Sequence, residues 1–397
     1  MNPAPHAAPE GEATAPIVPC SLGELLLYFV RLGTFGFGGP IVLAGHMQRD
    51  LVEGRRWISK RDYLEGLALA QLAPGPLAAQ LAMYLGWVRA GVLGATLVSA
   101  AFILPSFAMT VAIAAAYLRL GGLGWILGAF YGIGAAVIAI IARSALRLTK
   151  LSLRRDRLLW AVFAVTGLFT AVTESEVVWL FLGAGVLALL VRAPPRVRPG
   201  PAAAAAIFPA WLVSGLAGPR PGLLPRLLGY FAAAGAFVFG SGLAIVPFLH
   251  GGVVGRYHWL TERQFLDAVA VAMITPGPVV ITVAFIGYLV AGPAGAVMAG
   301  LGVFLPTYLF VVVPAPFYRR IAGNPQIHAF VGGVTAAATG AIAGAAIVLG
   351  RRALVDVPTV LIAGATLLLL SKAKRIPEPV VILAAGAAGV LLRRFAP

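Results

Sequence analysis

Two Pro-Gly-Pro tripeptides, Pro74–Pro76 and Pro276–Pro278, interrupt otherwise apolar stretches of the 397-residue chain. Gly ends or kinks a helix, and Pro is favoured in the first turn of a new one. In Ala73-Pro-Gly-Pro-Leu77 and Thr275-Pro-Gly-Pro-Val279 a helix should therefore stop and another start. The first N–H groups of the new helix lack intrahelical acceptors and carry the positive end of its dipole. Thr275 is placed to cap the second. Two such N-termini meeting near a bilayer midplane would make an anion site; ordinary proline kinks are the bland alternative. Upstream of each tripeptide lies another interruption, Phe35-Gly-Phe-Gly-Gly-Pro40 and Phe237-Val-Phe-Gly-Ser-Gly242. In a helix interior Gly costs roughly 1 kcal/mol and Pro about 3, and the freed backbone groups must face protein or a polar cavity. Gly36, Gly38, Gly39, Gly240, Ser241 and Gly242 thus join Pro74, Gly75, Pro76, Thr275, Pro276, Gly277 and Pro278 as candidate substrate-binding positions.

Few side chains add charge to these breaks. Arg31 lies inside the first apolar stretch, where a cation costs roughly 2.5–3.5 kcal/mol at a helix centre and normally pairs or serves function. Snorkelling, or a pair with Glu65 or Glu24, is the competing reading. Thr34, Gln71, Gln80, Ser241 and Thr282 are candidate donors to an oxyanion, or equally helix–helix hydrogen bonds. Glu65 and Asp267 are proton-coupling candidates, since partial burial raises a carboxyl pKa; capping of helix N-termini is the alternative. His46 and His250 end their segments and read as solvated loop residues. No P-loop, His-Glu-x-x-His or Gly-x-Ser-x-Gly motif occurs, so no enzyme is indicated. With one cysteine, Cys20, and no Cys/His cluster, neither an internal disulfide, a metal site nor a cofactor is expected.

These residues must be held by membrane helices. The chain is 60% hydrophobic and 11% charged, against about 25% charged in soluble domains. Its apolar runs have the length that spans a core of ~30 Å. The formal charge of +16 clusters between those runs, as the positive-inside rule predicts, and no nucleic-acid partner is indicated. The domain reading is a disordered leader over 1–20, a first transmembrane repeat over 21–192, a cytoplasmic linker over 193–226 and a second repeat over 227–397. Six apolar segments fall in the first repeat, beginning with Leu22–Gly45 and Tyr63–Val88, and six in the second, beginning with Leu227–His250 and Phe265–Val290. Within the linker, Ala202–Leu216 is apolar enough to lie on the membrane surface.

The two halves are copies. A shift of 202 maps Tyr28-Phe29 onto Tyr230-Phe231, Trp57 onto Trp259, Glu65 onto Asp267 and Pro74–Pro76 onto Pro276–Pro278. After one deletion, a shift of 201 maps Gly86, Ala90-Gly91 and Pro105 onto Gly287, Ala291-Gly292 and Pro306. Internal duplication is the simplest account. The loops Arg49–Arg61 and Arg143–Arg157 carry five and six Lys/Arg and should both be cytoplasmic. That parity makes one intervening segment re-entrant, and Tyr63–Val88, split by Pro74–Pro76, is the candidate. Five crossings in the first half then invert the second. The expected fold is an all-α polytopic membrane protein of two homologous, inverted repeats, with about ten membrane crossings plus re-entrant broken helices.

Phe35–Pro40, Trp57-Ile-Ser59, Leu72-Ala-Pro-Gly-Pro76, Phe239-Gly-Ser-Gly242 and Thr275–Pro278 together resemble the long-chain, two-repeat chromate ion transporter family, across almost the whole chain after the leader. The second copy departs from the motif, with Ser241-Gly242 where the first has Gly39-Pro40. The resemblance implies a multi-pass protein of the bacterial inner membrane that exports chromate and confers chromate resistance, with chromate handled as a look-alike of sulfate. Its partners would be that oxyanion and the lipid bilayer, and a homodimer is compatible. Uptake of sulfate or another oxyanion, and a non-transporting membrane scaffold, are the competing functions.

Overall fold

A computed structural model describes residues 17–37, 39–120, 124–153, 156–173, 178–194, 222–237, 242, 245–318, 323–372 and 376–395. Fourteen α-helices among these residues fall into two sets of seven. The first set is α1 (Leu22–Phe35), α2 (Gly39–Met47), α3 (Lys60–Leu72), α4 (Leu77–Leu120), α5 (Gly124–Ser152), α6 (Arg157–Thr173) and α7 (Val178–Arg192). The second is α8 (Leu223–Phe237), α9 (Ile245–His250), α10 (Glu262–Ile274), α11 (Thr282–Val312), α12 (Pro325–Ala353), α13 (Val357–Lys372) and α14 (Glu378–Phe395). The copies begin alike: Ser59 caps α3 and Thr261, its equivalent at a shift of 202, caps α10.

The expected single crossing over Leu22–Gly45 is not found, because the segment turns back at its glycine break. The Tyr28 hydroxyl on α1 donates to Asp50 just beyond α2 at 3.3 Å. A straight helix would hold residues 22 positions apart about 33 Å from each other. The second copy reverses likewise, with the Tyr230 hydroxyl donating to the Phe248 carbonyl at 2.9 Å. Segment Tyr63–Val88 also folds back: a Cβ added at Gly66 of α3 would lie 2.3 Å from the Tyr84 ring of α4.

A second reversal lies inside α4, between an arm over 77–89 and an arm over 92–120. Ala90 and Gly91 leave helical geometry, and Gly91 has φ 56°, a region that a side chain disfavours. Ala291 and Gly292 repeat the turn in α11. Close packing holds each turn: a Cβ at Gly86 would lie 2.5 Å from the Gly94 carbonyl oxygen. Gly86→Leu should therefore destabilise the protein by about 1–3 kcal/mol, the usual overpacking range, seen as a lower Tm in detergent. Among the described residues, four helical stretches are long and apolar enough to cross a membrane: Leu77–Leu120, Gly124–Lys150, Val279–Phe317 and Pro325–Ala353.

Residues related by the internal shift exchange partners between the copies. Gly132 of α5 meets Ala385 of α14, and Gly333 of α12 meets Ala184 of α7. The long arms of α4 and α11 run antiparallel: Thr96 lies 2.7 Å from the Tyr308 hydroxyl, while Phe107 packs on Gly300. Small residues at these crossings let backbones approach, which is how membrane helices gain contact where lipid supplies no hydrophobic drive.

The leader ends earlier than expected. Cys20 is buried, Val18 N–H donates to the Arg56 carbonyl at 2.9 Å, and Arg89 reaches the Cys20 carbonyl. Residues 1–16 of the leader, and the linker over 195–221 with its Ala202–Leu216 stretch, lie outside the described residues.

Candidate functional site

The site is built from backbone. Gly277, at φ +95° in the second Pro-Gly-Pro turn, donates its N–H to the Gly36 carbonyl of the first glycine break at 2.9 Å. One break from each repeat is thus joined. Ser106 of α4 donates to the neighbouring Gly33 carbonyl at 3.0 Å, and its Oγ lies 1.9 Å from where a Cβ on Gly277 would sit. The other Pro-Gly-Pro turn meets the matching residue of the other repeat. A Cβ on Gly75 would lie 2.9 Å from Thr307 of α11, and Thr307 is Ser106 shifted by 201. Each turn therefore faces the long arm of the opposite copy.

A helix restarts after each turn. In α4 the first intrahelical donor is Gln80, to Pro76 at 3.0 Å. The amides of Leu77, Ala78 and Ala79 therefore have no acceptor within their helix, and all three residues are buried. A short 3₁₀ turn, Val279–Ile281, precedes α11. Pro76, Gly75, Pro276 and Pro278 are buried and Pro74 half-buried. Such orphan amides with their dipole suit an anion.

The polar side chains proposed as donors are mostly engaged locally. Thr34 donates to Val30 at 2.7 Å and Thr282 to Val279 at 2.8 Å. Thr275 donates back to Val271 and Ala272, so it closes α10 rather than capping the next helix. The Gln80 amide donates to the Pro74 carbonyl at 2.7 Å and so braces the turn itself. Gln71 is exposed at the end of α3, and Gly39 and Gly242 flank their breaks. Arg31 is not drawn into the cluster. It is exposed on the α1 face that carries Leu27, Val30 and Phe35, and makes no ion pair among the described residues. Gly38, Gly240 and Ser241 lie outside the described residues.

Glu65 and Asp267 sit at matched positions within α3 and α10, and neither is an N-cap, since Ser59 and Thr261 hold those places. Asp267 is only 4% exposed and accepts from Tyr117 of the opposite repeat at 2.7 Å. Glu65, with its side chain 20% exposed, pairs with Arg61 at 3.1 Å and accepts from Tyr84 at 3.4 Å. His250, expected in solvent, is buried and lies 2.8 Å from Glu262, because the chain reverses there and tucks the ring against Phe265. His46 is half-buried. Sequence reasoning missed Ser106, Tyr84, Tyr117 and Tyr318. The internal shift was the available signal, since 201 maps Ser106 onto Thr307 and Tyr117 onto Tyr318.

Comparison with known proteins follows the same two-fold division. The profile of the family described as "Chromate transporter" matches residues 23–189 and again 225–390. The chain is 58% identical to the chromate transport protein of Cupriavidus metallidurans over 94% of its own length and 93% of the relative's. It is 54% identical to the probable chromate transport protein of Synechococcus elongatus, over 94% and 95% of the two lengths. A chromate transport protein of Pseudomonas aeruginosa is 34% identical over 98% and 96%. No solved structure matches the chain.

Proposed function

The chain belongs to the chromate transporter family, and on that premise we propose that it is a secondary transporter that exports chromate across the bacterial inner membrane and so confers chromate resistance. The observation that carries this reading is the hydrogen bond from Gly277 to Gly36, which joins interruptions of opposite repeats in the protein interior. Around it, the amides of Leu77 to Ala79 and the start of α11 supply positive dipole ends for a tetrahedral oxyanion. The residues proposed for substrate binding are Thr34, Gly36, Gly38, Gly39, Gln71, Pro74, Gly75 and Pro76 from the first repeat. The second repeat adds Gly240, Ser241, Gly242, Thr275, Pro276, Gly277 and Pro278.

Arg31 is assigned the approach to this site. It is exposed two residues from Gly33, whose carbonyl belongs to the cluster, and a cation there draws a dianion toward the breaks. Arg31→Ala should raise the KM for chromate by about tenfold, the value of ~1.4 kcal/mol, with unchanged membrane insertion. Flux into proteoliposomes over a range of chromate concentrations checks it.

Rocking of one copy against the other gives alternating access, with Glu65 and Asp267 as proton-coupling groups. The antiparallel long arms of α4 and α11 support inverted copies. Reporter fusions at Gly54 and Gly255 should then fall on opposite faces of the membrane. The deciding experiment is chromate flux in liposomes that contain only this protein, with pH gradient and potential varied separately. Sulfate flux that chromate fails to compete would favour the sulfate reading, and absence of any flux a scaffold.

A further inference from the structure

Three residues around each acid recur at the internal shift. Arg61, Tyr84 and Tyr318 surround Glu65; Arg263, Phe285 and Tyr117 surround Asp267. In both sets the tyrosine comes from the opposite repeat and its ring packs edge-on against residue 84 or 285. The Tyr84–Tyr318 centroids are 6.5 Å apart and the Phe285–Tyr117 centroids 5.4 Å apart, each pair at 63°. The scaffolds agree, but the hydrogen bonds do not. Asp267 is bonded to the cross-repeat tyrosine, and Arg263, one turn back on α10, makes no ion pair among the described residues. Glu65 is bonded to its own-helix arginine and to Tyr84 of its own repeat. Among the described residues Tyr318 makes no hydrogen bond to it, although Tyr84 touches both.

We propose that Tyr117 and Tyr318 are alternating latches between the repeats, each positioning residue closing on the other repeat's acid in one of the two end states of transport. In the state seen here Tyr117 holds Asp267 while Arg61 holds Glu65. In the opposite state Tyr318 holds Glu65 and Arg263 takes Asp267. Two copies related by a two-fold can exchange conformations, and the antiparallel long arms, of which that in α4 carries Tyr117 and that in α11 leads on to Tyr318, are the elements that would shift. The charged groups on other elements packed against α10 do not compete for Asp267: Arg143 of α5 and Glu378 of α14 pair with each other at 3.5 Å. The proposal rests on the transport reading above for its two end states.

The test uses the full chain with Cys20→Ser, which removes its one thiol, and a single reporter thiol at Ala70→Cys or at its mate Ala272→Cys, both buried positions. Alkylation rates are read in proteoliposomes. Tyr117→Phe should raise the rate at position 272 and lower it at position 70, each by about fivefold to tenfold, the population shift expected from one lost hydrogen bond. Tyr318→Phe should do the reverse. Rates that rise together in either tyrosine variant, as in a loosened fold, overturn the latch, and so does the absence of any change. Chromate flux of the parent is measured in the same vesicles. Opposite shifts without flux would sink the transport reading and keep the latch; flux without the shifts would sink the latch alone.

Discussion

Gly277→Ala is expected to abolish chromate flux and to leave little folded protein in the membrane. Three costs fall on one methyl group. Gly277 has φ +95°, and a left-handed backbone costs a side-chain-bearing residue about 1–2 kcal/mol. The new Cβ would sit 1.9 Å from Ser106 Oγ, and relief of such a clash in a packed interior costs about 1–3 kcal/mol. Movement of either group then disturbs the bond from Gly277 to Gly36, which ties the two repeats together, and the neighbouring bond from Ser106 to Gly33. Adding Ser106→Gly should return part of the folded yield, because it removes the clashing atom and leaves the backbone strain and the lost bond to Gly33. Gly75→Ala is the matched control. Its Cβ would meet the end of the Gln80 side chain at 2.7 Å and a Thr307 methyl at 2.9 Å, and a flexible side chain gives way more cheaply. Size-exclusion profiles and thermal melts of the three variants decide the order; an unaffected Gly277→Ala would remove the inter-repeat junction from the site.

Asp267→Asn should uncouple transport from the pH gradient. The amide occupies the same volume and still accepts the Tyr117 hydroxyl, so packing persists, but it can neither bind nor release a proton. Chromate flux driven by a pH gradient should fall by at least about tenfold, equivalent to ~1.4 kcal/mol or more, while exchange of labelled for unlabelled chromate without a gradient continues. Glu65→Gln provides the counterpart on the other side, where the acid is paired with Arg61. Loss of exchange together with driven flux would place Asp267 in substrate binding or folding instead. Undiminished driven flux would move the coupling elsewhere.

Much of the site could be read from residue types alone. Gly and Pro act locally, through φ and the missing N–H, so the breaks at Phe35–Pro40 and Pro74–Pro76 and their copies are visible without a fold. The acids at 65 and 267 stood out because the internal shift superposes them. Arg31 was less legible: its charge marked it, yet which side of α1 it occupies depends on how α1 packs against α4, and that packing turns it outward with Leu27 and Phe35. Thr34, Thr275 and Thr282 misled for a related reason. A hydroxyl in a helix can satisfy itself on its own preceding turn, and a sequence does not say when it will.

The sequence by itself determined that this is a membrane protein of two homologous copies, because burial in lipid demands apolar composition and duplication leaves its shift in residue after residue. It also determined where each helix must stop. What happens after a stop was decided only by tertiary structure. A glycine break permits both continuation and reversal, and the choice is made by distant contacts: Tyr28 with Asp50, Gly66 with Tyr84, Gly86 with Gly94. The pairing of one repeat's break with the other's, and of Tyr117 with Asp267, likewise depends on contacts between residues 150 or more positions apart, for which local propensity carries no information.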